Sequence, residues 1–313
     1  MSIMAHKAPN ERHSQRWRGV IPPVITPLTE RGGVDTAGLE RLIGHLLRSG
    51  VHGVFMLGSS GEGPWLTDAQ RREVLRTAVR VVDQQVPVLA GVLEPGTGRV
   101  LEAIDHVAAV GVDAVVTTTP YYFATDASTQ IRHFEVIAAH APVPVMLYNI
   151  PSMTHNPLTA ETVGQLLPNP KFIGIKDSAG EKDAFNRLLA LKARRPDFCV
   201  LQGAEQLAAE SVLAGADGIV PGLGNLVPGL FTDLFSAAVQ GDAITATAIQ
   251  DSINALWAIH TSAYWLVGLK FAASLMGFGS GRTSGFVDEL TVEQQSRIRD
   301  LVEQASVARP RWS

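Results

Sequence analysis

Cysteine is almost missing from the 313 residues. Cys199 stands alone, which excludes a disulfide framework and any cysteine zinc cluster. Charge is sparse too, at 18%, with 26 basic against 30 acidic residues and a formal net charge of −4. A slightly acidic chain offers no broad basic face, which argues against nucleic acid as a partner. Long apolar runs are lacking. Those present end at Gly, Pro or charge, far short of the roughly 20 residues a spanning helix needs. No membrane association is expected. Residues 1–18 are polar and lack the apolar stretch of a secretory signal, so they read as a disordered lead-in and the expected compartment is the cytoplasm.

Two residue types are scarce enough to interrogate one by one. Lysine occurs six times (7, 171, 176, 182, 192, 270) against twenty arginines, and tyrosine four times (121, 122, 148, 264). What is plentiful is apolar: 46% of residues are hydrophobic, sufficient for a sizeable core.

Two textures alternate from residue 19 onward. Short Val/Ile-rich runs lie at Val20–Thr26, Gly53–Gly58, Val86–Val92, Ala114–Thr118, Val143–Tyr148, Phe172–Lys176, Phe198–Gln202 and Gly218–Val220. They are apolar on both faces, as buried strands of a parallel sheet must be. Between them come stretches with helical spacing, such as Asp35–Ser49, Thr67–Asp83 and Thr159–Leu167, punctuated by Asp or Thr before and Gly or Pro after. Eight such units over 19–240 predict an α/β fold, a (β/α)8 TIM barrel. The alternative is an open doubly wound sheet, weakened by the lack of Gly-x-Gly-x-x-Gly after the first run. Residues 241–313 read as a C-terminal helical extension packed on the barrel (242–260, 262–276, 291–305).

In such a barrel the chemistry sits at the C-terminal ends of the strands. Strand 2 is followed by Gly58-Ser59-Ser60-Gly61-Glu62-Gly63 and strand 4 by Thr119-Pro120-Tyr121-Tyr122-Phe123. Strand 5 ends in Tyr148-Asn149-Ile150-Pro151 and strand 6 in Lys176-Asp177-Ser178. Gln202-Gly203-Ala204-Glu205 follows strand 7, and Pro221-Gly222-Leu223-Gly224-Asn225 follows strand 8. Lys176 ends an apolar run and is predicted to project into the barrel mouth. Lysine, unlike arginine, can lose its proton and attack a ketone to give a Schiff base. That chemistry needs a proton shuttle, for which Tyr148 is placed, and a relay drawn from Ser59 and the Tyr121-Tyr122 pair. Hydroxyls and backbone amides of Ser59-Ser60-Gly61 suit a substrate carboxylate. Asp177 and Glu62 could be catalytic but more simply cap a helix or pair with Arg, and Arg71-Arg72 and Arg194-Arg195 are expected on solvated helix faces.

Taken in order, Gly58–Glu62, Thr119–Tyr122, Tyr148–Pro151, Gly174–Ser178 and Gly215-Ala216-Asp217-Gly218 resemble the dihydrodipicolinate synthase / N-acetylneuraminate lyase family of class I pyruvate-dependent aldolases. The resemblance runs from about Gly19 to Gly279. It implies a barrel with C-terminal helices, a homotetramer or dimer, and neither metal nor cofactor. It implies that Lys176 forms the Schiff base with pyruvate or another 2-oxo acid, that Tyr148 is the general acid/base, and that Ser60 with Ser59 holds the carboxylate. Tyr122 would reach into a neighbouring subunit's site, in a relay with Ser59 and Tyr148, and the Val220 carbonyl would line the pyruvate site.

The sequence departs from the pattern in two places. Where the synthases carry an Arg for the carboxylate of aspartate semialdehyde, this chain has Met153, which cannot pair with a carboxylate. Of the acidic pair and serine that bind the sialic acid tail in the lyases, Glu205 fits the first acid, while Gln206 and Gly222 match neither the second nor the serine. The expected reaction is therefore aldol cleavage, condensation or dehydration of a 2-oxo-3-deoxy sugar acid or related 2-oxo acid. The alternatives are 4-hydroxy-tetrahydrodipicolinate synthase, a catalytically inactive 2-oxo-acid-binding barrel, a metal-dependent aldolase and a phosphosugar barrel using Gly222–Gly224. The metal reading has little to stand on, since only His155 of the nine histidines falls near the predicted site.

Overall fold

In the computed structural model, which describes residues 16–285 and 289–307, eight parallel strands curl into a barrel. The strands are β1 (Gly19–Val20), β2 (Val54–Met56), β3 (Val88–Gly91), β4 (Ala114–Thr118), β5 (Val145–Asn149), β6 (Phe172–Asp177), β7 (Cys199–Gln202) and β8 (Gly218–Ile219). Each pairs with its sequence neighbour from β2 to β8, and β8 pairs with β1. The ends of this order meet at a parallel bridge between Pro23 and Phe55, flanked by Phe55 N–H to Pro22 O (3.0 Å) and Val24 N–H to Phe55 O (2.9 Å). Eight parallel strands with helices between them make the predicted (β/α)8 barrel. The first ladder is shorter than the sequence suggests, because Pro22 and Pro23 have no N–H to donate. Asn225 fills that gap: its side chain accepts from Ile25 N–H and donates to Pro23 O and Gly222 O.

The outer layer comprises α1 (Thr36–Arg48), α2 (Asp68–Val82), α3 (Thr97–Ala108), α4 (Ala127–His140), the single turn α5 (Pro151–Thr154), α6 (Ala160–Leu166), α7 (Lys182–Ala190), α8 (Ala208–Leu213) and α9 (Pro228–Val239). Asp35, Thr67, Asp126 and Thr159 start their helices by accepting a backbone N–H three residues on, as N-caps do. Helix α1 buries Leu39, Leu42, Ile43 and Leu46 on one stripe against the sheet. A second apolar cluster, including Ile21, Phe55, Leu89, Val116, Met146 and Leu201, fills the barrel interior.

Past the barrel come α10 (Ala243–Leu256), α11 (Ala258–Thr261), α12 (Trp265–Leu275) and α13 (Val292–Val307). Helix α12 is buried nearly all round, and α13 packs on it through Ile298. The polar lead-in lies outside the described residues as far as residue 15. Its last three residues belong to the fold: Trp17 is buried with the barrel-interior cluster, and Arg18 pairs with Asp217 at 3.0 Å.

Candidate active site

Strand register places Tyr148 directly beside Lys176 on adjacent strands. The Lys176 side chain, 5% exposed, ends inside the mouth with Nζ 4.1 Å from the centre of the Tyr148 ring and 5.1 Å from that of Phe55. A small apolar cavity lies there, lined by Lys176, Phe55, Val116, Leu201 and Val220 among others. The described lysines sort cleanly by partner. Lys171 donates to Ala141 O, Lys182 pairs with Glu210, Lys192 with Asp217 and Lys270 with Glu62. Lys176 alone among them meets ring faces and no acceptor. Lys270 shows that rarity and burial alone do not mark Lys176, because Lys270 is buried as deeply (1% exposed) on α12. Burial pushes the Lys270 amine below its usual range, opposed by the Glu62 carboxylate.

The turn after β2 brings the serines to the same place. Ser59 Oγ is 3.5 Å from the Tyr148 hydroxyl. Close backbone approach explains the glycines: a Cβ on Gly61 would stand 2.8 Å from Val24 O, and one on Gly63 2.0 Å from Leu57 O. Thr26 Oγ1 donates to Gly61 O at 2.7 Å, and Glu62 N–H to Ser59 O at 3.1 Å. The Ser60 and Gly61 amides donate to no acceptor among the described residues, which leaves two N–H groups and two hydroxyls for an anion. Glu62 itself is saturated by Lys270 and by Ser284, a lysine and a serine where an arginine or a helix end was expected.

Strands β7 and β8 close the far wall. A Cβ on Gly203 would lie 3.0 Å from Lys176 Cε and 2.1 Å from Ser178 Oγ, so glycine there makes room for the lysine. Val220 is buried and lines the cavity. Glu205 is buried as well; its Oε1 accepts from Gly222 N–H (2.5 Å) and Leu223 N–H (3.1 Å), and Oε2 has no partner among the described residues. Those two amides are the ones a phosphate after β8 would need, so the phosphosugar reading loses its site. His260 Nε2 stands 3.8 Å from Glu205 Oε1. Asp177 accepts from Asn149 Nδ2 at 2.6 Å, and burial raises its carboxyl above the usual range.

Other predicted residues lie apart. Tyr122 is 84% exposed with left-handed backbone (φ 80°), stacked edge-on against exposed Phe123, and makes no contact with Ser59 or Tyr148 of its own chain. Met153 is 42% exposed on α5, and His155, exposed, caps that turn. Of the arginines expected on solvated faces, Arg194 is exposed and donates to Gly164 O and Arg72 is half-buried, whereas Arg71 pairs with buried Glu94 and Arg195, largely covered, donates to the carbonyls of Leu167 and Asn169.

Sequence reasoning missed Asn156, buried, which donates to Pro120 O and Phe123 O (both 2.8 Å) and accepts from Thr125 N–H. It staples the Tyr121–Tyr122 loop to the segment after β5. It missed His260 and the Lys270–Glu62 pair too, and placed Asn225 after strand 8 without a role; for the pair, the one legible signal was a lysine amid the apolar Leu266–Ala273. No group of three His, Cys, Asp or Glu residues placed to hold a metal ion occurs among the described residues.

The model of the dihydrodipicolinate synthetase family matches residues 16–305. A probable 2-dehydro-3-deoxy-D-pentonate aldolase of Escherichia coli (YjhH) is 32% identical over 266 residues, 84% of this chain and 88% of the relative. A 4-hydroxy-tetrahydrodipicolinate synthase of Kosmotoga olearia is 32% identical over 265 residues, 84% of this chain and 90% of the relative. Among solved structures, YagE, an E. coli prophage protein of this family crystallised with pyruvate, superposes with a TM-score of 0.88 at 30% identity, covering 93% of this chain and 99% of that one.

Proposed function

This chain belongs to the dihydrodipicolinate synthetase family and is a lyase of it, and from that premise we propose that Lys176 forms a Schiff base with pyruvate or a 2-oxo-3-deoxy sugar acid. The observation that carries the reading is the Lys176 amine, buried against the Tyr148 and Phe55 rings with no acceptor while every other described lysine has one. In this reading the substrate carboxylate rests on the hydroxyls and amides of Ser59, Ser60 and Gly61. The amine adds to C2, the carbonyl oxygen leaves as water, and an iminium results. Tyr148 then takes the proton of the C4 hydroxyl as the C3–C4 bond breaks, its electrons passing into the iminium. Hydrolysis of the enamine, after protonation at C3, returns pyruvate and the free lysine. Condensation is the same path reversed.

Ser59, at 3.5 Å, links Tyr148 to solvent or to a further hydroxyl. Tyr122 of a second copy would supply that hydroxyl in a homodimer or tetramer; its exposure and strained backbone support this placement. Gly203 and Val220 shape the 2-oxo acid end in this reading, and the second half of the substrate would extend outward toward Glu205 and the exposed Met153. Met153 offers no cation, which favours a neutral polyol tail over aspartate semialdehyde; forgoing a charged hydrogen bond costs roughly 1.5–3 kcal/mol. A screen of 2-oxo-3-deoxy acids with pyruvate release as readout tests this reading. Turnover of a sugar acid is expected. Efficient condensation of aspartate semialdehyde with pyruvate, and no sugar acid cleaved, would overturn the substrate assignment.

A further inference from the structure

One buried ion pair outside the reacting groups reaches into the site from the C-terminal helices. Glu62 follows Ser59, Ser60 and Gly61 directly and has left-handed backbone (φ 58°), as does Leu57 (φ 57°) on the other side of the serines. Residues other than glycine hold such angles only where their surroundings over-determine them. For Glu62 those surroundings are Lys270 of α12, whose Nζ donates to Oε1, and Ser284, whose amide and hydroxyl donate to Oε2 at 2.5 and 2.8 Å. The Lys270 and Glu62 side chains are both buried from solvent.

We propose that Lys270 is a positioning residue for the 2-oxo acid carboxylate, fixing the Ser59–Gly61 turn through Glu62 and cancelling the charge of that carboxylate. The inference rests on the reading of Ser59, Ser60 and Gly61 as the carboxylate cradle. A substrate carboxylate on the Ser60 and Gly61 amides is bound one or two residues from Glu62 along the chain. Like charges repel more strongly out of water, so an unpaired Glu62 opposes substrate entry. Paired, Lys270 and Glu62 sum to zero charge whichever of them holds the shared proton. Without Lys270, Glu62 either stays ionised and repels the substrate or takes up a proton and loses the contact that anchors the turn. Both routes weaken 2-oxo acid binding and leave Lys176 untouched.

The test is the pyruvate concentration giving half-maximal borohydride-trapped imine in the full chain. Lys270→Met is expected to raise it at least tenfold while trapping at saturating pyruvate stays complete. The double variant Glu62→Gln/Lys270→Met, which removes both charges, should recover the part of that rise that repulsion causes and leave the part that the lost anchor causes. A purely structural Lys270 would lower the unfolding temperature of Lys270→Met and leave the half-saturating concentration unchanged, which overturns the proposal. Should Lys270→Met fail to fold, Ser284→Ala carries the test: a rise of twofold or more supports the proposal and an unchanged value overturns it. Native protein that traps no pyruvate at all overturns the imine reading itself, and this inference with it.

Discussion

Replacing Gly203 by alanine sets a methyl group against the proposed nucleophile. Its Cβ would stand 2.1 Å from Ser178 Oγ, 3.0 Å from Asp177 O and 3.0 Å from Lys176 Cε. The hydroxyl is the end of a short side chain and can rotate away. The other two contacts are a few tenths of an ångström too close, and one is a backbone carbonyl of β6 held by Gly203 N–H at 2.7 Å. Relief therefore falls on Lys176. Overpacking of this kind costs about 1–3 kcal/mol of stability. Since a 1 Å misplacement of reacting groups costs on the order of 100-fold in rate, a shift of a few tenths predicts a loss of roughly 3- to 10-fold in imine formation. Adding Ser178→Ala removes the shortest overlap, so the double variant should regain stability while imine formation stays slow. Unfolding in urea and single-turnover trapping separate the two effects. Imine formation at the native rate in folded Gly203→Ala would refute the claim that this glycine makes room for the lysine.

Two further outcomes are expected. His133 is buried between α4 and the sheet, with Nε2 donating to Thr118 O and Nδ1 accepting from the Thr97 hydroxyl, and burial pushes its pKa from 6.5 to about 4. Between those values the unfolded chain binds the extra proton, so stability is lost as pH falls from about 6.5 toward 4; the contribution of this group drops by about 2 kcal/mol between pH 7 and 5. Urea unfolding should show that much less acid sensitivity in His133→Gln, and an unchanged pH dependence would rule this out. Tyr122→Phe should lose most activity while keeping its assembly state in sedimentation, because the proposed relay takes the hydroxyl from another copy; full activity would exclude that role.

Much of the barrel was legible because its strands are buried on both faces and its helices carry caps and stripes. Strand ends marked Lys176 and Tyr148, and parallel register then made them neighbours. Less legible was whatever depends on contacts far apart in sequence. Pro22 and Pro23 shorten the first ladder, and the closure through Asn225 spans 200 residues. The scarcity of lysine pointed to chemistry, yet Lys270 is equally rare and equally buried; only its partner, Glu62, distinguishes it. Arg71 carries no mark of its pairing with Glu94, which becomes a neighbour only when α2 and β3 meet. Tyr122 reads as a site residue by motif alone, since its own chain leaves it in solvent.

In the proposed chemistry the Lys176 amine becomes covalently bound to a 2-oxo acid, and borohydride makes that bond permanent. The protein is incubated with pyruvate, reduced with borohydride and weighed intact and as peptides. Expected is the mass of one reduced pyruvate adduct per chain, on the peptide containing Lys176, and none in Lys176→Ala. No adduct, or an adduct on a peptide holding a different lysine, would contradict it.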